Sequence, residues 1–267
     1  ARRRAARTSD AAHLVAYRAA ADIDQAAVDG VYPDHAARAE ESYRAAIEAG
    51  RVRVGGRAVA KPSEQVAEDA AIEAEAAHRF VGRGALKLDH ALTLWPVAVK
   101  GRVVLDVGAS TGGFTEVCLE HGAARVFAVD VGSGQLHPRL AADPRVTRLE
   151  RTDARNLTPD LIPEPPELIV CDASFIGLAK VLPAALSLAA PDADLVTLVK
   201  PQFEAEGPEG VGKGGLVKDA DQRAAALARV VDWLAGSGWT AQASADSPIT
   251  GGDGNVEFLL WARLGEQ

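Results

Sequence analysis

From residue 103 onward the chain alternates short apolar runs with amphipathic stretches. The runs Val103–Val107, Arg125–Val129, Val146–Glu150, Leu168–Cys171 and Leu195–Val199 are rich in Val, Leu and Ile. Runs of this length, bounded by turn residues, predict strands buried on both faces. Helices are predicted between them at Phe114–His121, Leu178–Ala189 and Ala220–Ala235. Strand–helix alternation implies the α/β class, with a mostly parallel sheet and right-handed crossovers. Trp239–Ser244 and Val256–Ala262 predict two closing strands, the last antiparallel.

Upstream the pattern changes. Gly82-Arg83-Gly84 precedes a predicted helix, Ala85–Leu94, which Pro96 ends. Residues 22–50 predict two short helices split by Val31-Tyr32-Pro33-Asp34, with Asp34 as a cap and Gly50 as a stop. Arg51–Ala60 is an alternating run, a Gly-Gly turn and a second run, which predicts a β-hairpin. Ala67–Glu75 predicts one more strand. The organisation read from this is a flexible arm (1–20), a small α+β module (21–75), a linker (76–82) and an α/β domain (83–267). The Arg2–Arg4 run in the arm reads as solvated, with phosphate contact as the alternative.

Composition narrows the classes. The chain has 267 residues, 48% of them hydrophobic, which is enough core for one full domain and a smaller one. No run approaches ~18 apolar residues, so no membrane span is expected, and no signal-type apolar segment follows the basic start. Cys118 and Cys171 sit in apolar runs, as free thiols in a reducing compartment do. No residues have zinc-ligand spacing, so no metal is expected. The net charge of −8 and pI of about 5.3 argue against a broad nucleic-acid footprint, so any RNA site must be a local patch. Met is absent, and nothing in the chain explains it.

The candidate chemistry gathers at strand ends. In Val103–Phe114 a strand runs into a glycine-rich turn and then a helix. Gly108, Gly112 and Gly113 would let backbone approach a ligand, with Ser110, Thr111 and Phe114 beside them. The spacing is neither a dinucleotide fingerprint nor a P-loop. Asp106 ends that strand, Asp130 the second, and Asp153 follows the third. Ligands of open α/β sheets sit at that edge. An acid there suits a cationic ligand such as S-adenosylmethionine (SAM), with Asp130 placed for ribose hydroxyls and Asp153 for an adenine amino group. Taken singly, each acid also fits an ordinary solvated loop, and the turn fits a tight βα connection without a ligand. Asp172 and Lys200 follow the next two strands, in CDASFIG and VKPQFE. A buried lysine lowered from ~10.4 towards ~7–8 can act as a general base, and a structural ion pair is the alternative.

Two resemblances follow from these residues. IEAGRVRVGGRAVAKPSEQV resembles the αL-type RNA-binding module of ribosomal and pseudouridine-synthase proteins. That resemblance implies RNA-backbone contacts by Arg38, Arg44, Arg51, Arg53, Arg57 and Lys61. Asp22, Asp24, Asp29 and Asp34 stand where that family is basic or neutral, so the module is a degenerate version. The motifs RGALKL, LDVGASTGGFTEV, AVDVGSGQL, CDASFI, VKPQFE, VGKGG and GGDGNVEFL, in this order, resemble the TlyA-type (haemolysin A-like) ribosomal RNA 2′-O-methyltransferases of the FtsJ/RrmJ-like group.

This second resemblance implies a Rossmann-like SAM-dependent fold and a catalytic tetrad of Lys87, Asp172, Lys200 and Glu257. It also implies a SAM site at Asp106, Gly108, Ser110–Phe114, Asp130, Asp153 and Asp172. Arg83 joins Arg51, Arg53, Arg57 and Lys61 as an RNA contact. The expected protein is a cytoplasmic monomer acting on ribosomal RNA or ribosomal subunits, with no membrane partner. The Gly-rich stretch Gly207–Gly215 reads as a loop beside the site. Two rival readings are a SAM-binding, RNA-associated protein that no longer methylates, and a membrane-lytic haemolysin-like protein.

Overall fold

In the computed structural model, residues 8–10, 47, 50–61, 63–67, 70–74, 79–204, 215–251 and 254–265 are described. The predicted helices of 22–50, apart from Ile47 and Gly50, and the stretch Gly207–Gly214 lie outside the described residues, as do Arg38 and Arg44. The chain divides into two compact units, Ala1–Arg79 and Phe80–Gln267.

In the first unit β1 (Thr8–Asp10) pairs antiparallel with β4 (Gln65–Ala67). Thr8–Asp10 falls inside the expected arm. A strand of three residues is too short for a periodicity to betray it. The predicted hairpin forms as β2 (Val52–Val54) and β3 (Arg57–Ala58). Its inward residues are Val52 and Val54, and Arg53 faces out between them. The single strand expected over Ala67–Glu75 is replaced by two short ones, β4 and β5 (Ile72–Ala74), of which β5 pairs with β2.

The second unit is a seven-stranded sheet built on β6 (Val103–Val107), β7 (Arg125–Asp130), β8 (Val146–Glu150), β9 (Leu168–Cys171), β10 (Asp194–Val199), β11 (Trp239–Asp246) and β12 (Phe258–Leu264). The order is β11-β12-β10-β9-β6-β7-β8. β12 runs antiparallel to both of its neighbours, and the other pairs are parallel. From β6 the chain moves out through β7 and β8, then returns to the other side of β6 for β9 and β10. Connections therefore diverge between β6 and β9, and ligands bind at such a switch point, outside the carboxyl ends of the strands.

Every residue of β9 and β10 is buried, as expected of their mostly apolar runs. Each such Val, Leu or Ile stabilises the fold by about 1.5–3 kcal/mol. α1 (Gly84–Leu94) and α2 (Gly113–Glu120) cover one face. The other face takes α4 (Leu178–Val181), α5 (Pro183–Ser187) and α7 (Ala220–Gly236). α7 buries Ala226, Val230 and Leu234, one stripe at four-residue spacing, and Asp219 caps it by accepting from the Asp221 and Gln222 N–H groups. The helix expected over Leu178–Ala189 is split, because Pro183 opens a new helix rather than continuing the first. α3 (Pro138–Ala141) and α6 (Pro201–Glu204) are single turns that no apolar period announces. Cys118 and Cys171 are buried and free.

Asp194, at the start of β10, is fully buried and accepts from Arg102, Trp261 and Arg263. Burial alone would push its carboxyl up, but the bonds from Arg263, Trp261 and Arg102 outweigh it and hold the carboxyl below the usual range.

Asp106, near the end of β6, is also fully buried, and it accepts from the Thr115 hydroxyl, at 2.6 Å. Burial pushes its carboxyl up to about 7, against the Thr115 bond and with help from the charges of Asp172 and Asp130. The folded state thus keeps a proton that the unfolded chain gives up near ~4. Stability from this group is full below ~4 and is lost as pH rises towards about 7. Asp106→Asn removes this titration. In urea unfolding at a series of pH values, the variant should gain on the parent as pH rises through that window. Parallel curves would contradict the assignment.

Candidate active site

Four charged side chains meet at the carboxyl edge of the sheet, each from a different element. Lys87 comes from α1, Asp172 follows β9, Lys200 follows β10, and Glu257 precedes β12. Lys87 Nζ lies 2.6 Å from Glu257 Oε2 and 3.8 Å from Asp172 Oδ2. Lys200 Nζ lies 2.6 Å from Asp172 Oδ1 and also donates to Ser174 Oγ (2.8 Å) and the Asp172 carbonyl (3.2 Å). The result is an alternating run, Glu257–Lys87–Asp172–Lys200. Lys87 and Lys200 are 6% exposed and Glu257 is 3% exposed, so water does little to offset their charges. The structure therefore brings the four residues of the expected tetrad together. It places Asp172 between the lysines, so each ammonium faces a carboxylate.

The glycine turn follows β6 beside this run. Gly108 (φ +82) and Gly112 (φ +98) take left-handed backbone that other residues rarely adopt. The sequence reading gave these glycines, with Gly113, to close ligand approach. In the structure, the space beside each is filled by protein. A Cβ on Gly108 would meet the backbone of Ala173 at 3.0 Å, one on Gly112 the Leu140 side chain at 2.3 Å, and one on Gly113 the Ala85 nitrogen at 2.8 Å. The glycines draw the loop after β9, α3 and α1 onto the turn. Phe114 is 3% exposed in the core, with its ring towards Gly84. Asp106 lies beneath the turn with Oδ1 unpartnered, so its influence is exerted from below.

Asp130 fastens two loops. Its Oδ2 accepts from Ser110 N–H (2.8 Å) and its Oδ1 from Gly132 N–H (2.7 Å). Each oxygen keeps a further lone pair for a ligand hydroxyl. Asp153 is engaged by its neighbour: Arg155 bonds to both carboxylate oxygens and holds the carboxyl below its usual range. That pairing was written in Asp153-Ala154-Arg155 and is a signal the sequence reading passed over. Thr111 accepts the His137 N–H through its carbonyl.

Arg83 reaches the Thr250 carbonyl at 3.3 Å. In the other unit Arg51, Arg53, Arg57 and Lys61 are all exposed. Arg57 is paired with Glu64, and Arg53 stands across the ladder from Glu73, so acids offset part of that patch.

Two residues beside the tetrad escaped the sequence reading. Ser174 holds Lys200, as given above. Phe175 is 88% exposed, has φ 67, and lies 5.4 Å from the Phe203 ring. A bulky residue in left-handed backbone is uncommon. No local pattern marks either one. A separate apolar hollow lined by Pro183, Leu186, Trp233, Trp239 and Leu264 lies at the opposite, amino-terminal edge and carries no chemistry. Among the described residues no group of His, Cys, Asp or Glu is arranged to hold a metal, and no helix is long and apolar enough to cross a membrane.

Comparison with known proteins gives one answer. The chain is 48% identical over 229 residues to the 16S/23S rRNA (cytidine-2'-O)-methyltransferase TlyA of Mycobacterium tuberculosis, covering 85% of each. It is 36% identical over 214 residues to Hemolysin A of Brachyspira hyodysenteriae, covering 80% of this chain and 89% of that one. A solved structure of a hemolysin candidate from Streptococcus thermophilus superposes with a TM-score of 0.72 at 36% identity, over 85% of this chain and 84% of the other. A solved structure of a candidate S-adenosylmethionine-dependent methyltransferase from Listeria monocytogenes superposes with a TM-score of 0.51 at 14% identity, over 69% of this chain and 100% of the other, a likeness of fold. Residues 80–264 match the FtsJ-like methyltransferase family, and the chain belongs to it.

Proposed function

We propose that this chain transfers a methyl group from SAM to the 2′-hydroxyl of a cytidine ribose in ribosomal RNA. The observation that carries the reading is the buried run Glu257–Lys87–Asp172–Lys200 at the sheet's carboxyl edge, in a chain of this family. The M. tuberculosis relative is named for that reaction.

The residues present fit SAM. Its amino group and sulfonium are cationic, and Asp106, with an unpartnered buried oxygen, feels the charges of Asp130 and Asp172. Bound, SAM supplies a methyl group already activated on a positive sulfur. The turn residues Gly108, Ser110, Thr111, Gly112 and Gly113 would hold it with Asp130, Asp153 and Asp172, while Asp106 and Phe114 support the turn from below.

Since the donor is activated, the protein's work is alignment and deprotonation. Lys200 takes the proton of the 2′-hydroxyl. Asp172 orients Lys200, and Lys87 with Glu257 fixes Asp172. No metal takes part. The requirement for a 2′-hydroxyl selects RNA over DNA. Phe175 offers an exposed ring on which a nucleobase can stack. Arg51, Arg53, Arg57, Lys61 and Arg83 contact phosphate, weakened by Glu64 and Glu73. The protein acts as a monomer in the cytoplasm, on ribosomal RNA or a ribosomal subunit.

The acids facing the hairpin arginines favour a second reading, SAM binding without methylation of RNA. Methyl incorporation separates the two, and liposome dye leakage checks the lytic activity that the hemolysin names would imply.

Lys200→Ala should keep SAM affinity by calorimetry while methyl transfer from labelled SAM to ribosomal RNA falls at least about a hundredfold. Lys200→Arg should fail as well, because guanidinium stays protonated. Near-parental activity in Lys200→Arg would remove Lys200 as the base. Phe175→Ala should raise KM for RNA by about tenfold, the scale of one lost stacking contact, with SAM affinity unchanged. An unchanged KM would deny the stacking role. Charge reversal at Arg53 should flatten the dependence of log K for RNA on log salt by up to about 0.7–0.9. An unaltered slope would show that Glu73 already cancels that arginine.

A further inference from the structure

Lys200 is buried, yet a base must exchange its proton with solvent once per turnover. Three oxygens stand around its Nζ: Asp172 Oδ1 at 2.6 Å, the Asp172 carbonyl at 3.2 Å and Ser174 Oγ at 2.8 Å. A backbone carbonyl accepts hydrogen bonds and has no proton to give. The Asp172 carboxylate is shared with Lys87, at 3.8 Å, and that lysine is tied to Glu257. Ser174 differs on two counts. A hydroxyl both accepts and donates, so it can serve the lysine in either protonation state. Ser174 is also exposed, whereas Lys87, Lys200 and Glu257 are buried. Its position is not left to a loose loop. Leu178 N–H donates to Glu204 Oε1 at 2.8 Å, which fastens the loop after β9 to the segment following Lys200.

We infer that Ser174 carries the Lys200 proton to water and so returns the lysine to the form that accepts the next one. The inference rests on the 2′-O-methyl transfer reading above. One ammonium N–H bond breaks and its proton passes to Ser174 Oγ, while the serine's own hydroxyl proton passes to a water molecule. An amine, an intact serine and a hydronium ion result. When the 2′-hydroxyl proton moves onto the amine lone pair, the ammonium re-forms and the same route clears it. The charged and titratable groups around Lys200 are Asp172 on the β9 loop, Lys87 on α1 and Glu257 before β12, with Asp106 and Cys171 behind Asp172. Beside them, Ser174 is an exposed group in hydrogen-bond contact with the Lys200 ammonium.

The test is methyl transfer from labelled SAM to ribosomal RNA by the full chain, from about pH 6 to about pH 9.5. The parent, Ser174→Ala and Ser174→Thr are compared, with SAM affinity measured by calorimetry. Ser174→Ala should lose about tenfold in kcat near neutral pH, with KM and SAM affinity parental. The loss should close towards high pH, where hydroxide reaches the lysine without the serine. Ser174→Thr, which keeps the hydroxyl, should recover most of kcat and the parental pH profile. Parental kcat in Ser174→Ala overturns the inference. So does a loss of equal proportion at every pH, a change confined to KM, or a threonine variant no better than alanine. If the parent transfers no methyl to ribosomal RNA, the functional reading falls and the inference with it. Methylation by the parent together with any of the contrary outcomes removes the inference alone.

Discussion

Two lysines buried at one edge of a sheet must be neutralised, and that constraint shapes the methyltransferase unit. An isolated buried ammonium costs several kcal/mol even after relaxation, so each needs a carboxylate at contact distance. The carboxylates come from far along the chain: Lys87 pairs with Glu257 across 170 positions. α1 must therefore lie against the sheet edge, and β9, β10 and β12 must be neighbours, for the charges to cancel. Removing Asp172 leaves Lys200 buried without a carboxylate at contact distance, so the charge pairing also commits the chain to this topology. The alternation of sign leaves Lys200 at one end of the run, held by Asp172 and Ser174.

The glycine turn serves the same assembly. It lets the loop after β9, α1 and α3 converge on the end of β6, because no Cβ keeps them away. Asp130 then ties the turn to the loop after β7 through Ser110 and Gly132. What results is an edge whose backbone is held by protein contacts. Pre-set geometry of this kind is what an activated methyl donor asks of its enzyme.

Much of this was legible in the sequence, for definite reasons. Strands buried on both faces announce themselves as apolar runs, and Leu168–Cys171 and Val103–Val107 have the bounds read from the pattern. The tetrad residues stood in motifs whose order carried the family resemblance, and their convergence followed from the topology. Short features were hidden. Thr8–Asp10, Pro138–Ala141 and Pro201–Glu204 are too short for a hydrophobic period to repeat within them. Pro183 was visible but was read through rather than as a new helix start. The packing role of the glycines was not legible, because sequence shows that space is left and not which protein atoms lie beside it. Ser174 and Phe175 gain their meaning from a lysine two dozen positions later and from one backbone angle, and neither is encoded locally.

The central claim is that this chain methylates the ribose 2′-oxygen of ribosomal RNA. Mass spectrometry of nucleosides and nuclease fragments from ribosomal RNA or subunits treated with the protein and SAM tests it most directly. The account predicts 2′-O-methylcytidine at a defined position, dependent on both protein and SAM. A methyl group on a base, or RNA that stays unmodified as free transcript and as subunit while SAM still binds, would contradict it.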